Sequence, residues 1–143
     1  LCQSEGFDTV RRSAATPVSA QTQVLLGDTM GELLFLYALA DSAFVGGSLV
    51  PNGGHNLLEP AALAKPVLSG PHLFNFLEIA ALLREAGALE EVDDAQGLAV
   101  AVQRLFELPQ DAHWMAEAGL RVMRTNQGAL QRLVEGLGKL LSR

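Results

Sequence analysis

The stretch Ala43-Phe44-Val45-Gly46-Gly47-Ser48-Leu49-Val50-Pro51-Asn52-Gly53-Gly54-His55-Asn56-Leu57-Leu58-Glu59-Pro60 decides how the chain is read. It begins as a short apolar run of strand length and passes through a loop with four glycines. It then opens a helix. Glycines in such a loop leave out side chains where a ligand or another backbone comes close. Asn56 is a good N-cap, and Pro60 falls near the first turn, where a missing N–H does no harm. A helix start presents unpaired N–H groups and a partial positive charge, which suits a phosphate. In open α/β sheets ligands gather at the carboxyl ends of the strands, where this loop would lie.

Outward from this segment the same alternation repeats. Strands are expected at Phe7–Val10, Val24–Gly27, Ala43–Gly46, Pro66–Ser69 and Ala88–Val92. Helices are expected at Gly31–Ala40, Phe76–Ala86 and Gly97–Glu107. The pattern predicts an α/β fold, a parallel sheet flanked by helices. Gly31–Ala40 is almost wholly apolar and is expected to be buried. Ile79, Leu82, Leu83 and Ala86 share one side of the next helix. Leu98, Ala101, Val102 and Leu105 form the stripe of the third. Leu108-Pro109 breaks the chain, and a further helix is expected through Trp114 to Met123, with Trp114 and Met115 in the core. Asn126 then caps a last helix with an apolar stripe of Leu130, Leu133, Val134, Leu137 and Leu141. Leu1 to Gly6 reads as the end of a helix, and the chain begins without Met, as a fragment would.

The 143 residues have room for one ordinary domain with one core. Hydrophobic residues at 49% against 18% charged exclude a disordered chain. The net charge of −6 has the wrong sign for a protein that neutralises phosphate backbones, so nucleic acid is not an expected partner. Five basic residues after Leu120 face one acid, Glu135, and this basic end would suit an acidic surface. The single Cys2 cannot form an internal disulfide, and the cytoplasm is the default compartment. No apolar run is long enough to span a membrane.

Glu59 sits about one turn inside the helix, where a carboxylate repels a phosphate but accepts hydrogen bonds from the vicinal diol of a ribose. Together the helix start and Glu59 describe a nucleotide site. The competing account makes the glycines a tight turn and Glu59 a solvated acid favoured by the helix dipole. Gly27-Asp28-Thr29-Met30-Gly31-Glu32 is a second helix start, capped by Asp28 or Thr29, with Glu32 reaching back in a capping box. The G-x-G-x-x-G and Gly-Lys-Ser/Thr patterns are missing. His55, His72 and His113 lie too far apart in sequence for a metal site. Ser48 with His55 lacks the nucleophile-elbow pattern of a hydrolase. Gly70-Pro71-His72 follows a strand and is read as a structural turn, with a place on the rim of the crevice as the alternative.

The Gly27–Glu32 turn, Phe44–Ser48, Gly53–Asn56 with Leu58-Glu59-Pro60, Gly70–His72 with Asn75-Phe76, and Asn126-Gln127-Gly128-Ala129 resemble, in the same order, the C-terminal half of bacterial 3-deoxy-D-manno-octulosonic acid (Kdo) transferases. The resemblance implies a glycosyltransferase of the GT-B type that moves Kdo from CMP-Kdo to a lipid A precursor at the cytoplasmic face of the inner membrane. It makes residues 1–143 a partial C-terminal donor-binding domain, with the helix at 124–143 packing towards an absent N-terminal domain. Met30, Gly31, Glu32, Asn56, Leu57, Leu58 and Glu59 then correspond to CMP contacts. The catalytic base and the acceptor and membrane surfaces belong to the N-terminal domain, so no catalytic residue, cofactor or metal is expected here, and the chain alone should not transfer sugar. The alternatives are another GT-B enzyme or an epimerase using UDP-sugars, and a non-catalytic nucleotide-binding module.

Overall fold

The computed structural model describes residues 1–126. They divide into two compact units, Leu1–Leu39 and a second from Ala40 onward, and the last expected helix lies outside the described residues.

In the first unit, strands β1 (Thr9–Arg11) and β2 (Val24–Leu26) pair in parallel. Ahead of them the chain does end a helix-like turn. Phe7 N–H donates to Cys2 O and Gly6 N–H to Gln3 O, both at 3.1 Å, with Gly6 at φ +86°. That pair of bonds with a left-handed glycine is the Schellman ending. Helix α1 (Leu33–Leu39) follows β2. Its expected burial is not found: Leu33, Leu34, Phe35 and Leu39 are each more than half exposed. Two strands of three residues offer too little surface to cover a helix that is apolar all round.

The second unit carries the core. Strands β3 (Ala43–Val45), β4 (Val67–Ser69) and β5 (Leu89–Glu91) form a parallel sheet in that order, with Ala43 opposite Val67 and Val67 opposite Leu89. The connections are α2 (Leu58–Ala62) and α3 (Leu77–Glu85); α4 (Ala95–Glu107) and α5 (Pro109–Asn126) follow β5. The parallel sheet expected from the alternation is thus present as two short ones, one in each unit.

The core is double as well. Val45, Val67 and Leu89 face a cluster with Leu57, Ala61, Ala80, Leu83 and Ala118. Leu68 and the partly buried Phe44 face the other side, with Val92, Ala101, Leu105 and Met115. Strand side chains alternate between faces, so a parallel sheet covered on both sides buries a layer on each. Both layers here are thin. Ala61 and Gly119 let α2 and α5 approach closely: a Cβ on Gly119 would stand 3.3 Å from that of Ala61.

Several boundaries differ from expectation for local reasons. Asp94 accepts a 2.8 Å bond from Gly97 N–H and starts α4 at Ala95. Pro109 opens α5, as a residue without an N–H can. Asn126 is the last described residue of α5, and its amide donates to Val122 O; the helix that it was expected to cap lies outside the described residues. Met115 is buried as expected, but Trp114 is 57% exposed. The buried side of α5 is Met115, Ala116, Ala118 and Gly119, and the indole instead lies across Gly87. At that glycine φ is +73°, and a Cβ would fall 2.3 Å from the ring.

Candidate functional site

Three loops leave the carboxyl ends of β3, β4 and β5, and two of them are sewn together. After Val45 the chain runs through Gly46 to Leu57 before α2 begins. Gly47, Gly53 and Gly54 all have positive φ (+70°, +89° and +74°). Gly54 N–H donates to Gly47 O at 3.0 Å and closes the loop on itself. Crowding also explains two of these glycines. A Cβ on Gly53 would meet the Asn75 amide at 2.2 Å, and one on Gly54 the Leu73 side chain at 2.7 Å.

Ser48 joins this loop to the one after β4. It is fully buried; its hydroxyl donates to Val45 O at 2.6 Å and accepts from Gly70 N–H at 2.8 Å. Its carbonyl accepts from His72 N–H at 2.9 Å. Gly70-Pro71-His72 is therefore a structural turn, as read from the sequence, and its partner is Ser48. Further out, the Asn75 amide donates to Asn52 O at 3.4 Å. Sequence reasoning weighed Ser48 only as a nucleophile and passed over its position. A small polar residue just past the end of a buried strand was the available signal.

At the start of α2, Asn56 Oδ1 accepts from Leu58 N–H and Asn56 Nδ2 donates to Glu59 Oε1, both at 3.1 Å. The expected cap is thus made, although the boundary residue is Leu57, in helical conformation. Glu59 is half-buried and has no second partner among the described residues. The side chain of Leu57 is fully buried in the core, and that of Leu58 packs against it. Leu57 therefore has only its backbone left to meet a ligand, whereas Leu58 is partly exposed. His55 is exposed, with its ring beside Gly47.

In the first unit the Gly27–Glu32 turn is held by charge. Asp28 accepts from Arg11 Nε at 2.8 Å, from Ser13 N–H at 2.9 Å and from the Ser13 hydroxyl at 2.7 Å. The Ser13 bonds first, then Arg11, lower its carboxyl from 3.8 to about 2. Glu32 accepts from the Thr29 hydroxyl and from Arg12 at 2.8 Å, and Thr29 first, then Arg12, hold its pKa below the usual value. The expected capping box is not formed: the Glu32 carboxylate reaches back to the Thr29 hydroxyl and to Arg12 rather than to a backbone N–H. Gly31 has φ +80°, and Met30 is 97% exposed.

Among the described residues no three His, Cys, Asp or Glu side chains gather as a metal site, and no helix is long and apolar enough to cross a membrane. The fold and its glycine-rich loops define a Rossmann-like ligand-binding domain, with the candidate site at the carboxyl ends of parallel strands.

No protein-family model matches the chain. The chain is 46% identical over 144 aligned residues to a 3-deoxy-D-manno-octulosonic acid transferase of Haemophilus influenzae, covering all of this chain and 34% of that protein. Against the enzyme of the same name from Bordetella pertussis it is 42% identical, covering 94% of this chain and 32% of that one. It therefore spans about a third of the length of the curated relatives it matches. Among solved structures, the C-terminal CMP-Kdo binding domain of WaaA from Acinetobacter baumannii superposes with a TM-score of 0.82 at 38% identity, over 85% of this chain and 64% of that one. The chain is a relative of the bacterial Kdo transferases and matches the C-terminal part of such a protein.

Proposed function

We propose that this chain binds the CMP part of CMP-Kdo, as the donor half of a GT-B glycosyltransferase that transfers Kdo to a lipid A precursor in lipopolysaccharide synthesis. The observation that carries this reading is the superposition on the CMP-Kdo binding domain of the Acinetobacter protein, which includes most of the chain at 38% identity. In this account Asn56 and the free amides at the start of α2 meet the phosphate, and the unpaired oxygen of Glu59 accepts from the ribose hydroxyls. Met30, Gly31 and Glu32 are further CMP contacts near the cytosine; this part rests on the resemblance of the motif. Chemically the reaction is displacement at the anomeric carbon of Kdo with CMP leaving. Amide N–H groups around the phosphate favour the charge that builds there.

A catalytic base and the acceptor surface come, in this proposal, from an N-terminal domain of the full-length protein. That protein works at the cytoplasmic face of the inner membrane and meets the membrane through parts other than this chain. Calorimetric titration of the full-length protein with CMP and with UDP tests the reading. CMP should bind and UDP should bind far more weakly. Glu59→Ala should weaken CMP binding by about 1–3 kcal/mol, the cost of leaving polar partners unpaired. Equal binding of UDP would point to a UDP-sugar enzyme. Unchanged affinity in Glu59→Ala would remove that carboxylate from the site.

A further inference from the structure

We propose that Ser48 is a positioning residue for the nucleotide: buried beneath the site, it fixes the Gly46–Leu57 and Gly70–Phe76 loops as one rigid cradle. The inference rests on the donor-binding reading above and adds to it a residue that touches no ligand.

Ser48 uses every polar group it can turn towards these loops. The hydroxyl donates back to Val45 O and accepts from Gly70 N–H, while the carbonyl takes His72 N–H. Each bond lies in a dry setting, since Ser48 has no exposed surface, and none can be replaced by water without opening the sheet edge. The contact is also shape-specific: a Cβ on Gly70 would stand 2.3 Å from Ser48 O. From this anchor the chain reaches Gly54, tied to Gly47 O, and two residues later Asn56. A hydroxyl wholly inside the protein thus sets where the loop amides and the Asn56–Glu59 pair stand. Preorganised donors bind a phosphate without the cost of ordering them, so loosening the anchor should appear as lost affinity.

The test uses the full-length protein with Ser48→Ala, which removes the hydroxyl, and Ser48→Cys, which puts a larger group with a weak donor and acceptor in its place. Affinity for CMP is read by calorimetry at a temperature where circular dichroism shows both variants folded, and amide hydrogen exchange is read without nucleotide. Ser48→Ala should weaken CMP binding about tenfold, with Ser48→Cys between it and the parent. Exchange should quicken at Gly54, Leu58, Gly70 and His72 while Val67 and Leu68 in β4 keep their protection. A merely structural serine would instead quicken exchange across the whole second unit and leave affinity within about twofold in folded protein, and that result would overturn the proposal. If the parent protein binds no CMP, the donor reading fails by itself. Exchange then decides the role of Ser48, and loop amides that do not quicken would refute it.

Discussion

Replacing Gly70 by alanine should be among the most damaging single-methyl changes available in this chain. A Cβ there would sit 2.3 Å from Ser48 O, 2.4 Å from Ser48 C and 2.5 Å from Leu49 N. These are backbone atoms of the fully buried Ser48 and of the residue after it, so no flexible side chain can swing away. The two loops must separate. Forcing extra volume into packed structure costs about 1–3 kcal/mol. Parting the loops also breaks the Gly70 N–H bond to the Ser48 hydroxyl, and a buried polar group left unpaired costs about 1–3 kcal/mol more. The sum, about 2–6 kcal/mol, is a large part of the about 5–15 kcal/mol that holds an ordinary domain together. Urea unfolding should show that loss, and thermal unfolding a fall of roughly 10 °C or more. Gly46→Ala is the control, because nothing lies within 4 Å of its Cβ position; it should change stability by no more than about 0.5 kcal/mol. If the two variants unfold alike, or Gly70→Ala stays within about 1 kcal/mol of the parent, the stitching of the loops through Ser48 is wrong.

Other outcomes follow from single contacts. Asn56→Ala should cost about 1 kcal/mol of stability, since Leu58 N–H loses its acceptor, while Asn56→Ser should retain most of the cap without setting a second carboxylate against Glu59; urea unfolding of both checks this. Asp28 has a folded pKa of about 2 against an ordinary 3.8, so its stabilising effect is fully present above pH 3.8 and is lost as the pH falls from 3.8 to about 2. A carboxyl-carbon NMR titration should show that low midpoint, and Ser13→Ala should raise it; a midpoint near 3.8 in the parent would contradict the network. Gly87→Ala should displace the indole of Trp114 and strain a left-handed backbone, costing about 1–2 kcal/mol from the backbone alone. Because Trp114 is the single tryptophan of these 143 residues, a shift in its fluorescence emission reports the displacement.

Much of the second unit was legible in sequence because its signals are local. Val45, Val67 and Leu89 lie on short apolar runs, and Asn56 announces the start of α2 one turn before Glu59. The turn at Gly70-Pro71-His72 was legible for the same reason, since the glycine and proline mark it by themselves. Contacts between distant residues were not legible. Ser48 and Gly70 are 22 residues apart, and neither residue type alone announces a shared bond. The exposure of α1 was missed because apolar composition states what a helix needs and not what is present to cover it. Trp114 was placed in the core on size, whereas the face of α5 that packs inward is made of small residues. In the Gly27–Glu32 turn a capping box was expected, but the Thr29 hydroxyl and Arg12 hold Glu32 while Arg11 and Ser13 hold Asp28, and nothing in the turn's own six residues reveals Arg11, Arg12 and Ser13.

The account stands or falls on where cytidine monophosphate touches the protein. An NMR titration of the isotope-labelled full-length protein with CMP should move the backbone amides of residues 53–59 saturably, together with the side-chain amide of Asn56. Saturable shifts confined to residues elsewhere, with the amides of 53–59 unmoved, would contradict it.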